Sequence, residues 1–518
     1  MAQPQRLPAT LALATRFQTL PLLMILLVFG GAVRVALAWR DIDALDALFF
    51  PDDTYLSLTI ARNIARGLGS TFDGVVATNG YQPLYVWLAV PLYWLFPNDQ
   101  VLPINFALTL LAIASLGTAV CIFRIVQHLH SSWHAAIACV IWLFDSALTR
   151  HALNGLETSL ALLGIAATSL WYISRIRGRE QIALRDVVVL GMVAGVTVLA
   201  RVDQVILLAA LALDMLLDHR TRRRLVEIGL VGGIVVLLNL PWMLFGMSIG
   251  AGPLPESGAA VRMLAMAQAT SPQYFISALI VWLSLLLSAP LSSGALVCAV
   301  LLVVIVRRFR GQPNHWLWES MQRLRPLRFA GIFALLFSAA YLLYIPAYWF
   351  FDRYAQPVAF FALVASAVFL PAPGVLSTQA RRWFVGVTTV FLAFEVAQGA
   401  TLLVAQPAPD NYLGIGRWVN ANLAGHTVGA LQSGAIGYWG EGITVVNLDG
   451  VVDGNALAAR RSGDLAGYMR QRGVEYVVEW SPTFGKPGDG DLSGVTYIAP
   501  IPNVQSWGSQ WHVFSFTP

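Results

Sequence analysis

Residues 83–96 read PLYVWLAVPLYWLF, and whether this stretch crosses a membrane decides which way every later segment of the chain faces. It holds 14 residues interrupted by Pro91, short of the roughly 20 apolar residues a membrane-spanning helix needs. Its Tyr and Trp side chains favour the boundary between lipid and water. The stretch therefore reads as an interfacial helix lying along the membrane surface.

The rest of the chain supplies the membrane. Of its 518 residues 57% are apolar and only 12% charged, with a mean hydropathy of +0.65; a soluble domain carries about twice that charged fraction. Apolar runs of spanning length recur through residue 404, which predicts a polytopic membrane protein. The formal charge of +5 comes mostly from arginines in short loops, where they orient the chain, and calls for no nucleic-acid partner. Cys121, Cys139 and Cys298 sit within apolar segments without CxxC spacing and read as buried hydrophobes. No HExxH or Walker motif occurs, which argues against a membrane metalloprotease or an ATP-driven pump. Residues 1–16 are too poor in apolar side chains for a signal sequence, so the run 17–38 is expected to remain as an anchor.

Arg6 and Arg16 before that run place the N-terminus in the cytoplasm, so residues 39–100, surface helix included, emerge outside. Spans are then expected near 101–126, 132–149, 158–175, 187–200, 204–218 and 225–247, followed by one ending near 306 and others near 329–350, 355–372 and 383–404. With 17–38 this makes about eleven crossings. The basic loops at 124–134, 175–180 and 219–224, RRFR and the arginines through Arg328, and Arg381 with Arg382 then all face the cytoplasm. Counting 83–96 as a span would turn them outward. The expected organisation is a transmembrane domain at 1–405 and an extracytoplasmic domain at 406–518. In that tail TVGAL, ITVVNLDG and VEYVVEW read as strands and NALAARRSGDLAGYMRQRG as a helix, a small α/β domain. No internal repeat is obvious.

This threading brings Asp52, Asp53, Asn154, Glu157, Arg201, Asp203, Asp352, Arg353 and Tyr354 to the extracytoplasmic side. In FFPDDTYLSLTIARNIAR, at 49–66, a helix start after Pro51 needs only one acid as a cap. The second repels the first, so the pair is either solvated and idle or used by a cation or a proton. The other residues also have structural readings. Asn154 suits a turn or cap and Glu157 a first helical turn. Arg201 and Asp203 suit an ion pair across a helix break, Arg353 a boundary position and Tyr354 an aromatic belt. Mid-span Glu395 requires a partner. Asp214, near a cytoplasmic end, is expected to reach water. The chemistry that suits such a face is displacement of a lipid phosphate by an alcohol, with a carboxylate as base and arginines on the departing phosphate.

The stretches DDTYLSLTIARNIARGLGSTFDG, TNGYQPLYVWL, NGLETSLALL, ARVDQVILL and FDRYAQPV resemble the GT-C glycosyltransferases that use polyprenyl-phosphate sugars. Within them the chain looks most like the arabinofuranosyltransferases of the actinobacterial cell wall. The similarity covers much of the first 220 residues, is patchier to about 404, and reaches weakly into the tail through GAIGYWGEGITVVNLDGVVD. It implies a mainly α-helical GT-C bundle in the cytoplasmic membrane and an inverting transfer of a sugar, arabinofuranose by analogy, to a glycan, lipid or protein acceptor. It also implies Asp52 as general base, Asp53 as its partner, Glu157 near the acceptor, and Arg201 and Arg353 on the donor phosphate. Some of these enzymes use a divalent cation; the acids here could hold one, though their spacing does not require it. VDQ follows Arg201 where relatives often have a proline before the acid, which bears on how Arg201 is aimed. Two competing readings are a transporter or lipid flippase, motivated by Glu395, and a glycan-binding tail using Tyr438, Trp439 and Trp480, for each of which core packing is the ordinary use.

Overall fold

The computed structural model describes residues 9–288, 315–372, 376, 378–406, 412–480, 494–506 and 508–517. Among these, six helices are long and apolar enough to cross a bilayer: Leu20–Ala38, Leu102–Leu129, Thr158–Ile176, Arg222–Ser248, Trp318–Tyr344 and Thr378–Val404. Ser132–Phe144 and Ser146–Ala152 form a seventh candidate, bent by 65°. Three further expected spans are short, with 17 residues in Leu184–Ala200 and 14 each in Val205–Asp218 and Gln356–Phe369. The expected crossing ending near 306, with RRFR and Cys298, lies outside the described residues. A multi-pass membrane protein stands, while the total of about eleven crossings is not confirmed.

Pro83–Leu95 is a helix of 13 residues, roughly 20 Å long against a hydrocarbon core of about 30 Å. Its Tyr85, Val86, Ala89 and Tyr93 share a core with Tyr55, Leu58 and Ala61 of the helix Asp52–Ala65. The first spanning helix carries a fully buried charge, Arg34, whose guanidinium donates to the Leu143 carbonyl at 2.6 Å, the Trp142 carbonyl at 2.9 Å and Ser115 Oγ at 3.1 Å. Two of these acceptors are end carbonyls of Ser132–Phe144, where a helix dipole welcomes a cation.

The C-terminal region forms one five-stranded sheet in the order β2-β1-β3-β5-β4. Strands β1 (Thr427–Ala430), β2 (Thr444–Asn447) and β3 (Tyr476–Trp480) are the expected ones and run parallel. Strands β4 (Val495–Ser506) and β5 (Ser509–Phe516) add an antiparallel pair that the sequence reading did not include. The expected helix divides at Gly463 into Gly454–Ser462 and Leu465–Gln471, the second capped by Asp464.

This sheet domain packs into the first loop. Val428, Leu413 and Ile436 share one hydrophobic core with Tyr55, Tyr85 and Tyr93, and full burial of each aliphatic side chain is worth about 1.5–3 kcal/mol. Polar contacts align the two: Arg62 donates to the Tyr438 and Gly437 carbonyls at 2.8 and 3.0 Å, Asp46 accepts from the Leu413 N–H at 2.9 Å, and Arg472 pairs with Asp73. The loops that leave the C-terminal ends of β1 and β2 face the start of the helix Asp52–Ala65. In parallel sheets that edge is where ligands and reacting groups gather.

Candidate active site

The two adjacent acids point to different partners. Neither caps its own helix: Pro51 is the N-cap of Asp52–Ala65 and makes no side-chain cap bond. Asp52 instead caps the helix Gly434–Trp439, its Oδ2 accepting from the Gly434 N–H at 2.7 Å and its Oδ1 from the Ala435 N–H at 2.8 Å. Only a glycine permits this approach, because a Cβ at Gly434 would meet the Asp52 carbonyl oxygen at 2.2 Å. Asp52 is 4% exposed. Burial pushes its carboxyl up to about 8; the two N–H donors pull against this, and the charges of Asp53 and Asp449 add to it.

Asp53 remains open, with its side chain 31% exposed, and its Oδ2 accepts from Arg353 Nη1 at 2.8 Å. The guanidinium groups of Arg353 and Arg201 lie 5.3 and 5.2 Å from the centroid of the same ring, Tyr354. Arg201 is extended at the break between Leu184–Ala200 and Val205–Asp218. It pairs through Nε with Asp203 Oδ2 at 3.0 Å and donates from Nη2 to the Tyr341 hydroxyl at 3.3 Å, while that hydroxyl donates to Asp203. Glu157 is buried beside the arginines: burial raises its carboxyl, and Arg201 and Arg353 pull it back. The result is a carboxylate next to two arginines held by packed aromatic rings.

Asn154 takes its turn role. Its Oδ1 accepts from the Leu156 N–H and its Nδ2 donates to Thr158 Oγ1, both at 3.1 Å, while its carbonyl accepts from Thr54 Oγ1 at 2.7 Å. Arg353 and Tyr354 face Asp53 and Arg201, which departs from the boundary and belt readings. Asp214 needs correcting, for it does not reach water. It is fully buried between Arg177 at 3.1 Å, Arg328 at 2.5 Å and the Tyr172 hydroxyl at 2.6 Å. Glu395 is buried in the helix Thr378–Val404 beside Asp145 at the break of the bent helix pair, a second acid in place of a counter-charge, and its Oε2 has no hydrogen-bond partner. Tyr438 packs, fully buried, with its hydroxyl donating to the Gln100 carbonyl at 2.6 Å.

Three residues near the site were not singled out from sequence. Tyr341 links Arg201 to Asp203, and Gln82 Oε1 accepts from the Val202 N–H at 3.1 Å, bracing the helix break. Asp449, in the loop after β2, has its carboxyl pushed up to about 6, mainly by burial and further by Asp53. Its loop is anchored by Asn447 Nδ2 donating to Ser433 Oγ at 2.9 Å and by Val451, which packs with Val261, Ala347 and Phe350. The sequence reading placed Asp449 inside the strand ITVVNLDG; the strand ends at Asn447, and the turn-forming LDG that follows was the available signal. The acid pair does not fit a divalent cation: N–H donors occupy both Asp52 oxygens, Arg353 occupies Asp53, and among the described residues no three His, Cys, Asp or Glu side chains could hold one.

Residues 82–245 match the family of dolichyl-phosphate-mannose-protein mannosyltransferases. The crystal structure of ArnT from Cupriavidus metallidurans bound to undecaprenyl phosphate superposes with a TM-score of 0.58 at 14% identity, covering 94% of this chain and 97% of that one. The chain has the GT-C fold. The Archaeoglobus fulgidus oligosaccharyltransferase, tethered with an acceptor peptide, shares it with a TM-score of 0.55 at 13% identity, over 89% of this chain and 69% of that one. The mycobacterial arabinofuranosyltransferase AftD aligns with a TM-score of only 0.47 at 13% identity, over 95% of this chain and 40% of that one, and does not bear on the sugar. The tail of this GT-C chain, residues 404–515, matches a domain of unknown function (DUF8728). No curated protein matches in sequence.

Proposed function

We propose that the chain is an inverting glycosyltransferase that moves a sugar from a polyprenyl-phosphate donor to a hydroxyl of a glycan, lipid or protein on the extracytoplasmic side of the cytoplasmic membrane. The observation that carries this reading is the meeting of Asp53 with Arg353 beside Arg201, within a GT-C fold. The acceptor oxygen attacks the anomeric carbon from the face opposite the phosphate, and its proton passes to the Asp53 carboxylate. The bond from that carbon to the phosphate oxygen breaks, and Arg201 and Arg353 bind the polyprenyl phosphate that leaves.

Asp53 rather than Asp52 is the base in this scheme, because both Asp52 oxygens already accept backbone N–H donors. Asp52 fixes the acid-bearing helix to the C-terminal domain. Before the donor arrives Arg353 is held by Asp53; a phosphate competes for the same guanidinium and so releases the base as it binds. Asp449, brought beside Asp53 by the loop after β2, orients the acceptor, and Glu157 and Asp203 aim the arginines. Undecaprenyl phosphate in the ArnT structure supports this class of donor. Arabinofuranose is the first sugar to test, on the resemblance of the first 220 residues.

The test is a screen of purified protein with several polyprenyl-phosphate sugars, reading release of the free lipid phosphate. Release with one donor is expected, and silence with all of them removes the reading. The transporter reading ranks lower because Asp53, Glu157 and Asp203 gather with Arg201 and Arg353, while Glu395 stands apart from them beside Asp145. Movement of substrate into proteoliposomes without a covalent product would restore it.

A further inference from the structure

Residues 494–518, GVTYIAPIPNVQSWGSQWHVFSFTP, contain no Asp, Glu, Lys or Arg, although they supply the β4–β5 hairpin at one edge of the sheet. The rest of the same domain carries charges throughout, from Arg417 to Glu479. A soluble domain devotes about a quarter of its residues to charge, and exposed edge strands ordinarily use it to keep other strands away. An uncharged hairpin with one side open to water calls for another account.

The register sorts its side chains. Ala499, Ile501, Trp511 and Val513 join the core shared with the first loop. On the opposite face Tyr497 pairs with Phe514 and Pro500 with His512, and Gln505 pairs with Gln510, two positions before His512. The core under the helices Gly454–Ser462 and Leu465–Gln471 covers that face at Val477 and Phe516 and reaches Phe514, half-buried at its margin. Beyond it Tyr497 is 54% exposed, Pro500 and Gln505 are exposed, and Gln510 and His512 are half-buried. The rings of Phe514 and His512 lie 5.7 and 5.8 Å from that of Tyr497. From Gln510 to Phe514 the strip is roughly 13 Å long.

The chemistry of the strip selects its occupant. Another strand is opposed by Pro500 and Pro502, which have no N–H to offer it, and by the irregular register of β4 between Tyr497 and Ala499 and between Pro500 and Gln505. An anionic lipid surface would be met by Lys or Arg, and the hairpin has neither. The C–H face of a sugar ring stacks on an aromatic ring, and its hydroxyls exchange hydrogen bonds with amides and an imidazole without any charge.

We propose that the Tyr497 face of the β4–β5 hairpin binds a neutral glycan, with Tyr497 as the stacking ring and Gln505, Gln510 and His512 as its hydrogen-bonding neighbours. Of the aromatic residues that the sequence offered for such a role, Tyr438 is buried, and Trp480 pairs with Trp511 on the covered face, their rings 6.4 Å apart. The site does not rest on the transferase reading, so the two can fail separately.

The test titrates the full chain in lipid nanodiscs with linear hexasaccharides of arabinofuranose and of mannose, followed by saturation-transfer NMR and calorimetry. One of the two is expected to bind. Tyr497→Ala, at an exposed position, should weaken that binding about tenfold with thermal unfolding unchanged, and Tyr497→Phe should keep it, because the ring makes the contact. Asp53→Asn should bind as wild type does. Absence of binding by both sugars, equal affinity in wild type and Tyr497→Ala, or loss in Asp53→Asn alone overturns the site. Self-association in detergent that Tyr497→Ala abolishes, without glycan binding, would give the face to a second copy of the chain and also overturn it. Release of lipid phosphate without hexasaccharide binding would remove the glycan site and leave the transferase reading standing; binding without release would do the reverse.

Discussion

Asp53 and Arg353 are 300 positions apart in the chain, and their charged groups meet at 2.8 Å. A base and a phosphate-binding cation that hold one another are poised to be separated by the donor. Asp53→Asn keeps the shape and removes the proton acceptor. Its rate of release of polyprenyl phosphate should fall about 10²–10⁴-fold, with thermal unfolding within a few degrees of wild type. Near-normal turnover in this variant removes Asp53 as base.

Asp449 should act on the acceptor and leave the donor alone. In Asp449→Asn the KM for the acceptor is expected to rise about tenfold while the KM for the polyprenyl-phosphate sugar stays within a factor of two, a difference of about 1.4 kcal/mol in acceptor binding. Steady-state kinetics with each substrate varied in turn will separate the two. A rise in donor KM alone would place Asp449 with the arginines.

The bond from Asp52 to the N-terminus of Gly434–Trp439 is a mechanical link between first loop and sheet domain. Gly434→Ala would drive a Cβ to 2.2 Å from the Asp52 carbonyl oxygen, a backbone atom that cannot swing aside. The expected cost is about 1–3 kcal/mol, read as a lowered unfolding temperature in detergent. An unchanged temperature would mean that the domain does not sit this close to the helix.

Asp52 also gives stability a pH dependence. Its carboxyl is pushed from 3.8 to about 8 by burial, so between those values the native state holds a proton that the unfolded chain has released. Stability from this group is therefore present at low pH and lost as pH rises through the window, by up to about 1.4 kcal/mol per pH unit. Asp46 and Asp449, raised to about 6, contribute in the same sense below that value. Asp52→Asn should flatten the dependence of unfolding temperature on pH between about 6 and 8. A slope identical to wild type there would show that Asp52 does not titrate in that range.

Much of the fold was legible in the sequence because its cause is local. Six of the expected spans appear as helices of spanning length, and β1 to β3 fall where alternating and β-branched residues placed them. The shorter segments near 187–200, 204–218 and 355–372 also appear as helices, with the break at Arg201 where it was expected; what local sequence did not show is how that break is held, with Gln82 receiving the freed N–H of Val202. The site was legible as a set of residue types on one side of the threading. Asp214 was misread because Arg177 and Arg328, which bury it, come from other segments.

Hydrophobic runs and the distribution of arginine, which act over a few residues at a time, determined by themselves that this chain is a multi-pass bundle with a small sheet domain at its end. Which of two neighbouring acids is free for chemistry was decided only by the tertiary structure. Asp52 and Asp53 are chemically alike and adjacent, and what distinguishes them is a pair of N–H groups more than 380 positions away and an arginine 300 positions away, brought near by the packing of the whole chain.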